Sequence, residues 1–293
     1  MVKLTAGPRT LRRVPDDWND KAYEHIGVRP LAPTIGAEIT GVDLGRPLTD
    51  EVFGEVHRCL LEWKVVFLRD QHIGDREHLA FARLWGDLEE HPFIRSGATD
   101  DVVRFEKGAK MGGYENQWHT DVTWRAAPAM GAILRAIEIP EVGGDTLFAD
   151  MAAAYDNLPE SLRTRIDDMR AAHDFVPSFG LLLDAERRAE MRERFPAVDH
   201  PVVRTHPETG RKTLFVNGVF TTHIVGLDEA ESEALLDQLY AQASFAEYQC
   251  RWRWQAGDVA MWDNRATQHY ACSDYWPERR VMERVAIVGD RPY

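Results

Sequence analysis

The order of apolar and polar residues predicts a chain rich in β-strands with helices between them. Short runs in which apolar residues alternate with polar ones, or follow one another directly, are typical of strands. Such runs lie at residues 37–42, 65–68, 130–139, 146–148, 202–205, 212–216, 258–262 and 281–288. The sequence has no regular βαβ alternation, no glycine-rich phosphate loop and no internal repeat. A doubly wound nucleotide-binding fold and a solenoid are therefore disfavoured.

Helices are predicted in four places along the chain. The first begins near Asp50, the second runs from about residue 76 to 84, and another from about 228 to 241. Between about 159 and 194, apolar residues recur at helical spacing, as Leu162, Ile166 and Met169 do. We interpret residues 159–194 as a helical insertion between strands.

The chain is predicted to form one domain with a mixed α/β fold. Residues 1–25 are polar and weakly patterned, so we interpret them as an N-terminal extension. Residues 26–293 then form the single domain. Strands without βαβ order, interrupted by helices, favour a jelly-roll-like double sheet with flanking and inserted helices.

Composition and charge exclude several classes of partner. Hydrophobic residues make up 44% of the 293 residues and charged residues 28%, which is enough apolar material for a sizeable core. The formal net charge of -13 argues against binding to nucleic acid or to an anionic membrane surface, because such partners require clustered Lys and Arg. An anionic small molecule must therefore meet a local basic pocket. We also expect a homo-oligomer.

The cysteines and the N-terminus indicate a cytoplasmic location. The three cysteines, Cys59, Cys250 and Cys272, are too few and too scattered for a disulfide framework and contain no CxxC pair. Residues 14–17 are Val-Pro-Asp-Asp, where a secretory signal would have an apolar segment. No stretch approaches the roughly 18 continuous apolar residues of a membrane span.

Two histidines and an aspartate are candidate metal ligands. In an extended segment, His119 and Asp121 point to the same face because they are two residues apart. Taken alone, this pair is weak evidence, since such spacings arise by chance. His269, in the stretch 262–270, adds a second imidazole. Two histidines and one carboxylate form the facial triad that leaves positions open on iron(II), whereas a structural zinc site needs a fourth ligand.

Arg280 and Arg284 are candidates for binding an anion. They are four residues apart, so both face the same way in either a helix or a strand. The alternative is a solvated edge, because Glu278, Arg279 and Glu283 lie beside them.

Several segments together resemble a known family, the taurine dioxygenase family of iron(II)/2-oxoglutarate-dependent oxygenases. They occur in the family's order, and the resemblance runs from about Ile26 to Tyr293. The segments are 118–123 (WHTDVT), 143–147 (GGDTL), 202–207 (VVRTHP), 252–254 (WRW) and 262–270 (WDNRATQHY), followed by Arg279, Arg280 and Arg284. Such a set is far more specific than any one motif.

The resemblance implies a double-stranded β-helix core and a set of cofactors. His119, Asp121 and His269 would hold Fe(II). Arg280 and the Thr146 hydroxyl would bind the distal carboxylate of the co-substrate 2-oxoglutarate, and O2 would be the second co-substrate.

The resemblance also implies a substrate site for a small anion. Arg284, His91 and the backbone N–H of Val122 would surround a sulfonate, and Phe179 and Phe220 would form apolar walls. An adjacent anion would raise the pKa of His91 and favour the imidazolium.

Two positions depart from the pattern of taurine enzymes. Glu115 stands where they tend to have Asn, and Ile94 where they tend to have Tyr. The Glu115 carboxylate could pair with a substrate ammonium, whereas Ile94 makes the wall more apolar.

We expect an enzyme that hydroxylates a small sulfonate, taurine first, releasing sulfite, an aldehyde, succinate and CO2. The alternatives are a related oxygenase for an alkyl sulfate, another alkylsulfonate or a carboxylate. From a different class, the alternative is a non-catalytic metal-binding jelly roll that senses or stores a small anion.

Overall fold

The computed structural model describes residues 7–18, 20–94, 101–113 and 115–293, which form sixteen strands and six α-helices. The strands are β1 (Gly27–Pro30), β2 (Ala37–Thr40), β3 (Val65–Leu68), β4 (Leu88–Glu89), β5 (Val103–Lys107), β6 (Gly131–Glu138), β7 (Thr146–Asp150), β8 (Arg170–His173), β9 (Val198–Pro201), β10 (Val203–Thr205), β11 (Lys212–Leu214), β12 (Thr221–Ile224), β13 (Gln249–Trp252), β14 (Val259–Asp263), β15 (Thr267–Ala271) and β16 (Arg280–Ile287). The helices are α1 (Asp50–Trp63), α2 (Asp75–Arg83), α3 (Met151–Asp156), α4 (Glu160–Ile166), α5 (Ala185–Arg194) and α6 (Glu229–Tyr240).

The strands form one large sheet and three small ones. The large sheet has the order β1-β2-β3-β14-β6-β16-β4, and β5 also pairs with β16. Its pairs are antiparallel except for β2 with β3. The small sheets have the orders β13-β7-β15, β12-β8-β9 and β10-β11. The predicted mixed α/β fold is confirmed.

The centre of the large sheet is built from strands that are buried along their whole length. Every residue of β3 and of β14 is buried, which fits the uninterrupted apolar run of 65–68. Helix α1 covers this region with Val56, Leu60 and Trp63. Its boundaries follow local chemistry, because the Thr49 side chain accepts a hydrogen bond from the Val52 N–H and Lys64 adopts a left-handed conformation at φ 64°. No helix in the described part of the chain has the length and apolar character needed to span a bilayer.

The region 159–194 contains helical stretches as predicted, α4 and α5, and also a strand, β8, that the sequence did not reveal. Strand β8 lies between α4 and α5 and pairs with β9 on one side and β12 on the other. Its short sequence, Arg-Ala-Ala-His, has no strong strand preference of its own. The strand forms because partners distant in sequence satisfy its backbone, and its two alanines are buried.

The N-terminal segment contacts a buried carboxylate on α1. Glu62 accepts hydrogen bonds from Arg13 Nη1 at 2.6 Å, Trp18 Nε1 at 3.1 Å and the Tyr23 hydroxyl at 2.8 Å. The residue is fully buried, so these donors replace the water that the carboxylate loses. The segment is thereby tied to the domain.

Two further contacts join the same segment to parts of the chain far away in sequence. The Thr10 carbonyl accepts a hydrogen bond from Asn157 Nδ2 at 2.7 Å. The Arg12 carbonyl accepts one from Arg211 Nη1 at 2.6 Å. Residues 10–18 and 20–23 therefore rest on α1 and on groups near α3 and β11.

Candidate active site

The two candidate metal histidines lie directly opposite each other. The His119 N–H donates to the His269 carbonyl at 3.1 Å, and the His269 N–H donates back to the His119 carbonyl at 2.8 Å. Because His269 is in the middle of β15, this bridge fixes both backbones in one register. Their ring centroids are 4.1 Å apart.

Asp121 completes a group of three possible metal ligands. One ligand atom from each of His119, Asp121 and His269 can be chosen so that all lie within 4.8 Å of one another. His119 Nδ1 lies 2.8 Å from the Gln117 carbonyl, which can only accept, so Nδ1 is the donor and Nε2 is the ring nitrogen left for a metal. Nε2 lies 3.9 Å from Asp121 Oδ1. Among the described residues, Asp121 Oδ2 is buried without a hydrogen-bond partner. A cation would fit this arrangement.

The protonation states of this group suit metal binding. Burial raises the pKa of Asp121, but the charges of Arg284 and of the two imidazoles outweigh burial and lower it to about 2. Burial lowers the pKa of His269 to about 3. The site therefore offers an ionised carboxylate and a neutral imidazole at neutral pH, which are the forms that coordinate metals.

Asn264 holds the backbone of Asp121 from both sides. Its Oδ1 accepts from the Asp121 N–H at 2.9 Å, and its Nδ2 donates to the Asp121 carbonyl at 3.0 Å and to the Ala129 carbonyl at 3.0 Å. The next residue, Val122, has φ 48°, which is an uncommon conformation for a β-branched side chain. The fixed position of Asp121 is thus coupled to a strained turn.

Arg280 and Arg284 face one cavity together with the histidines. Both lie on β16 and are separated by an even number of residues, so they share a face of the strand. Arg280 is only 7% exposed and Arg284 only 8%, so the alternative of a solvated edge is wrong. The cavity is lined by His119, His269, Thr146, Lys107, Arg280 and Arg284.

A glycine turn orients the Arg280 guanidinium. Arg280 Nε donates to the Gly144 carbonyl at 3.1 Å, and the Gly144 N–H donates to Asp274 Oδ1 at 2.8 Å. A Cβ on Gly144 would lie 3.0 Å from Arg280 Cδ, and Gly144 has φ 72°, so the position suits glycine on both counts. With Nε occupied, the two terminal nitrogens are the donors left for a ligand.

Arg284 contacts one of the three candidate metal ligands. Its Nη1 donates to Asp121 Oδ1 at 2.7 Å. The predicted substrate arginine thus lies beside the predicted metal ligand. An anion held by Arg284 would lie close to a metal bound at Asp121.

Glu115 lies in the same cavity and is paired with a cation of the protein. Its Oε1 is 2.9 Å from Lys107 Nζ, and both residues line the cavity. The predicted role of Glu115 toward a substrate ammonium stays a prediction, and Lys107 competes for the carboxylate.

The remaining predicted substrate residues lie outside the lining of this cavity, in an aromatic cluster beside Asp121. Val122 and Phe220 are buried in the cluster, and Phe179 packs against it. The rings of Phe179 and Phe220 are stacked with centroids 6.0 Å apart, and His91 contacts Phe179 edge-on at 5.2 Å. The structure therefore divides the predicted site into a charged cavity and an aromatic cluster.

His91 is neutral in this environment. Burial lowers its pKa to about 3, and the charge of Arg284 acts in the same direction. Its Nδ1 accepts from the Ile94 N–H at 3.1 Å and the Phe93 N–H at 3.3 Å, so the proton of the ring is on Nε2. A neutral His91 can still donate a hydrogen bond from Nε2. The imidazolium expected beside a bound anion stays a prediction.

Three residues near the site had no role assigned from the sequence. Lys107 lines the cavity, Asn264 holds Asp121, and Trp254 Nε1 donates to Thr146 Oγ1 at 2.9 Å. Asn264 and Trp254 do lie within the segments 262–270 and 252–254 that carry the resemblance. Lys107 lies in none of those segments, and it comes into the cavity because β5 pairs with β16 opposite Arg280.

Comparison with known proteins agrees with this geometry. Residues 27–286 match the family described as "Taurine catabolism dioxygenase TauD, TfdA family". The chain belongs to this family. It is therefore an enzyme, a 2-oxoglutarate-dependent dioxygenase that uses Fe(II) and O2. The hypothesis of a non-catalytic sensor is set aside.

Individual relatives act on different substrates. The chain is 38% identical over 275 residues to an alkylsulfatase of Acinetobacter baylyi, covering 91% of this chain and 86% of the relative. It is 38% identical over 277 residues to an α-ketoglutarate-dependent (2-oxoglutarate-dependent) sulfate ester dioxygenase of Pseudomonas putida, covering 91% of each. A crystal structure of a taurine dioxygenase from Burkholderia xenovorans superposes with a TM-score of 0.79 at 37% identity, covering 92% of this chain and 91% of that one.

Proposed function

We propose that the chain hydroxylates an alkyl sulfate ester at the carbon that bears the sulfate, in preference to taurine. The observation that carries this proposal is the aromatic cluster beside Asp121, whose carboxylate is bound by the candidate substrate arginine Arg284. Phe179 and Phe220 offer apolar contacts, whereas Glu115 is paired with Lys107. Two relatives that act on alkyl sulfates or sulfate esters support the same substrate class.

In this proposal His119, Asp121 and His269 hold Fe(II) within a double-stranded β-helix, a core that the antiparallel pairing supports. Iron, 2-oxoglutarate and O2 together supply the oxidising chemistry that replaces a C–H bond by C–OH. Three protein ligands leave positions free on the metal. The ionised Asp121 and the neutral His269 need no proton release before the metal binds.

Arg280 and Thr146 bind the distal carboxylate of 2-oxoglutarate. Both are buried in the cavity that also contains the two histidines. Burial lowers the pKa of Arg280, which reflects the cost of holding a cation away from water, and a bound carboxylate offsets this cost.

Arg284, the Nε2–H of His91 and the Val122 N–H bind the sulfate group. A sulfate ester is a permanent anion with several acceptor oxygens, so a guanidinium and two neutral donors suit it. The alkyl chain then lies against Phe179 and Phe220. Because Arg284 also contacts Asp121, the carbon next to the sulfate comes near the metal.

The overall reaction balances. Hydroxylation at the carbon bearing the sulfate gives a hydroxyalkyl sulfate, whose C–O bond to sulfate breaks as the new hydroxyl loses its proton. The products are an aldehyde and sulfate. One O2 and one 2-oxoglutarate are consumed, and succinate and CO2 are released. With taurine, the same oxidation would release sulfite.

A substrate panel tests the proposal. The Fe(II)-loaded protein is given 2-oxoglutarate and either hexyl sulfate, hexanesulfonate, hexanoate or taurine, and substrate-dependent succinate is measured alongside aldehyde and sulfate or sulfite. We expect the largest kcat/KM for hexyl sulfate. A larger kcat/KM for taurine would overturn the preference, and a larger value for hexanoate would mean that the anion site selects carboxylates.

A further inference from the structure

Trp254 reaches the proposed 2-oxoglutarate pocket through Thr146. It follows the end of β13 by two residues, and its side chain is buried. Its Nε1 donates to Thr146 Oγ1 at 2.9 Å. Thr146, at the start of β7, is itself buried and lines the cavity with Arg280. Trp254 does not line the cavity, so its connection to a ligand there is indirect.

The direction of this hydrogen bond determines what the threonine can do. An indole N–H is a donor only, so the Thr146 oxygen must be the acceptor. A hydroxyl has one proton, and that proton must then point away from Trp254. Arg280 and Lys107, which line the same cavity, carry donors and no acceptor. An anionic ligand between these groups therefore receives donors from all of them.

We propose that Trp254 is a positioning residue, which sets the Thr146 hydroxyl to donate its proton to the distal carboxylate of 2-oxoglutarate. This inference rests on the location of 2-oxoglutarate at Thr146 and Arg280 proposed above. In the absence of the indole, the hydroxyl samples other rotamers, and the carboxylate has to orient it on binding. The protein without the indole therefore binds 2-oxoglutarate more weakly, whereas its affinity for the metal and for the sulfate ester does not change.

Trp252 provides a matched control. It is two residues earlier, is as buried as Trp254, and its Nε1 also donates to a side-chain oxygen, Asp258 Oδ2 at 3.1 Å. Its ring stacks on Phe67 with centroids 4.1 Å apart. Neither Trp252 nor Asp258 lines the cavity. Trp252→Phe and Trp254→Phe thus each remove a buried indole N–H that donates to a side-chain oxygen.

Calorimetric titration of 2-oxoglutarate into the Mn(II)-loaded protein measures the effect without turnover. We expect Trp254→Phe to raise the Kd by about three- to tenfold, and Thr146→Val to raise it by at least as much. Thr146→Ser keeps the hydroxyl and should stay near wild type. Trp252→Phe should leave the Kd within about twofold, and the affinity for Mn(II) should change in none of these variants.

The double variant Trp254→Phe/Thr146→Val separates positioning from packing. If the indole acts through the hydroxyl, the double variant binds 2-oxoglutarate as weakly as Thr146→Val alone. A further loss of the same size in the Thr146→Val background would show that the indole acts by packing and would overturn the inference. Wild-type affinity in Trp254→Phe would also overturn it. An unchanged Kd in Thr146→Val would instead refute the location of the co-substrate.

A measurement on the unmutated side chains covers the case in which Trp254→Phe does not fold. In the diamagnetic Zn(II)-loaded protein, the indole N–H signals of Trp252 and Trp254 are followed by NMR as 2-oxoglutarate is added. When the Thr146 hydroxyl donates to a carboxylate, its oxygen becomes a better acceptor, so the Trp254 signal should shift. The Trp252 signal should stay. A Trp254 signal that does not move at saturation contradicts the proposal.

Discussion

The two halves of the candidate site are held by different kinds of structure. Thr146 lies on β7 and Arg280 on β16, and each strand is held by its neighbours in its own sheet. Each of the two side chains also has a hydrogen bond to a neighbour. His91, Phe179 and Phe220 lie outside the strands, in a loop, a 3-10 segment and a turn.

This difference in support indicates which part of the site can change its substrate preference while the reaction with 2-oxoglutarate is kept. A substitution on paired strands disturbs a register shared with several neighbours, whereas a loop or a short helical segment accepts new side chains. The charged cavity is therefore suited to a co-substrate that all members share. The aromatic cluster is suited to substrates that differ from one relative to the next.

The largest effect on turnover should come from substituting the three candidate metal ligands, because both halves of the site depend on the metal. We expect His119→Ala, Asp121→Ala and His269→Ala each to abolish iron-dependent turnover while the fold persists. The loss of metal affinity should exceed the about 10- to 100-fold typical of losing a ligand's hydrogen-bond partner. Metal analysis after dialysis, with circular dichroism as a check on folding, measures this. Near-wild-type iron content in His269→Ala would refute the ligand assignment.

Arg280 and Arg284 share the charged cavity but are expected to bind different ligands. We expect Arg280→Ala to weaken 2-oxoglutarate and Arg284→Ala to weaken the substrate, each by about 2–5 kcal/mol, because a buried anion loses its charged partner. Each variant serves as the control for the other when both ligands are titrated against both proteins. Metal affinity is measured in parallel, since Arg284 contacts Asp121. The opposite pattern would mean that the two roles are exchanged.

Substitutions in the aromatic cluster should weaken substrate binding and leave 2-oxoglutarate binding unchanged. We expect Phe220→Ala to weaken binding of an alkyl sulfate by about 1.5–3 kcal/mol, because an apolar contact surface is lost. Phe220→Leu retains most of that surface and is the control. Titration of hexyl sulfate and of 2-oxoglutarate against both variants checks this. If the affinities for hexyl sulfate and 2-oxoglutarate fall equally, the substitution damages the site in general, and the distinction between the two halves is wrong.

The pH should also affect the two halves differently. Burial raises the pKa of Glu89 to about 7, although the charges of Arg125 and Arg284 oppose this rise and that of Asp121 adds to it. As the pH rises through this value, Glu89 becomes negative near Arg284 and repels an anionic substrate. We expect substrate affinity to fall by about three- to tenfold between pH 6 and pH 8, with 2-oxoglutarate little affected. In Glu89→Gln this pH dependence should disappear, and its persistence would point to another group.

The smallest effect is expected at Glu115. A free carboxylate facing a substrate ammonium would favour taurine over an amine-free alkylsulfonate by roughly 1–2 kcal/mol. Because Glu115 pairs with Lys107, we expect Glu115→Gln to change the ratio of the two kcat/KM values by no more than about twofold. A larger change, confined to taurine, would restore the role in amine selection that the sequence suggests.

The sequence predicted the charged half of the site better than the aromatic half. Period-two spacing was sufficient to bring Arg280 and Arg284 to one face, and the structure has both in one cavity. The pairing of Glu115 with Lys107 could not be predicted, because Lys107 comes to the site through the register of β5 with β16. Strand β8 escaped prediction for a similar reason, since its partners are distant in sequence.

The contacts of the N-terminal segment have a consequence for the order of events during synthesis. Arg13, Trp18 and Tyr23 leave the ribosome before Glu62, which follows them by 49, 44 and 39 residues, and Arg211 comes much later still. The segment cannot complete its contacts until most of the chain has been made. Residues 10–18 and 20–23 are therefore translated before the partners that fix their final positions.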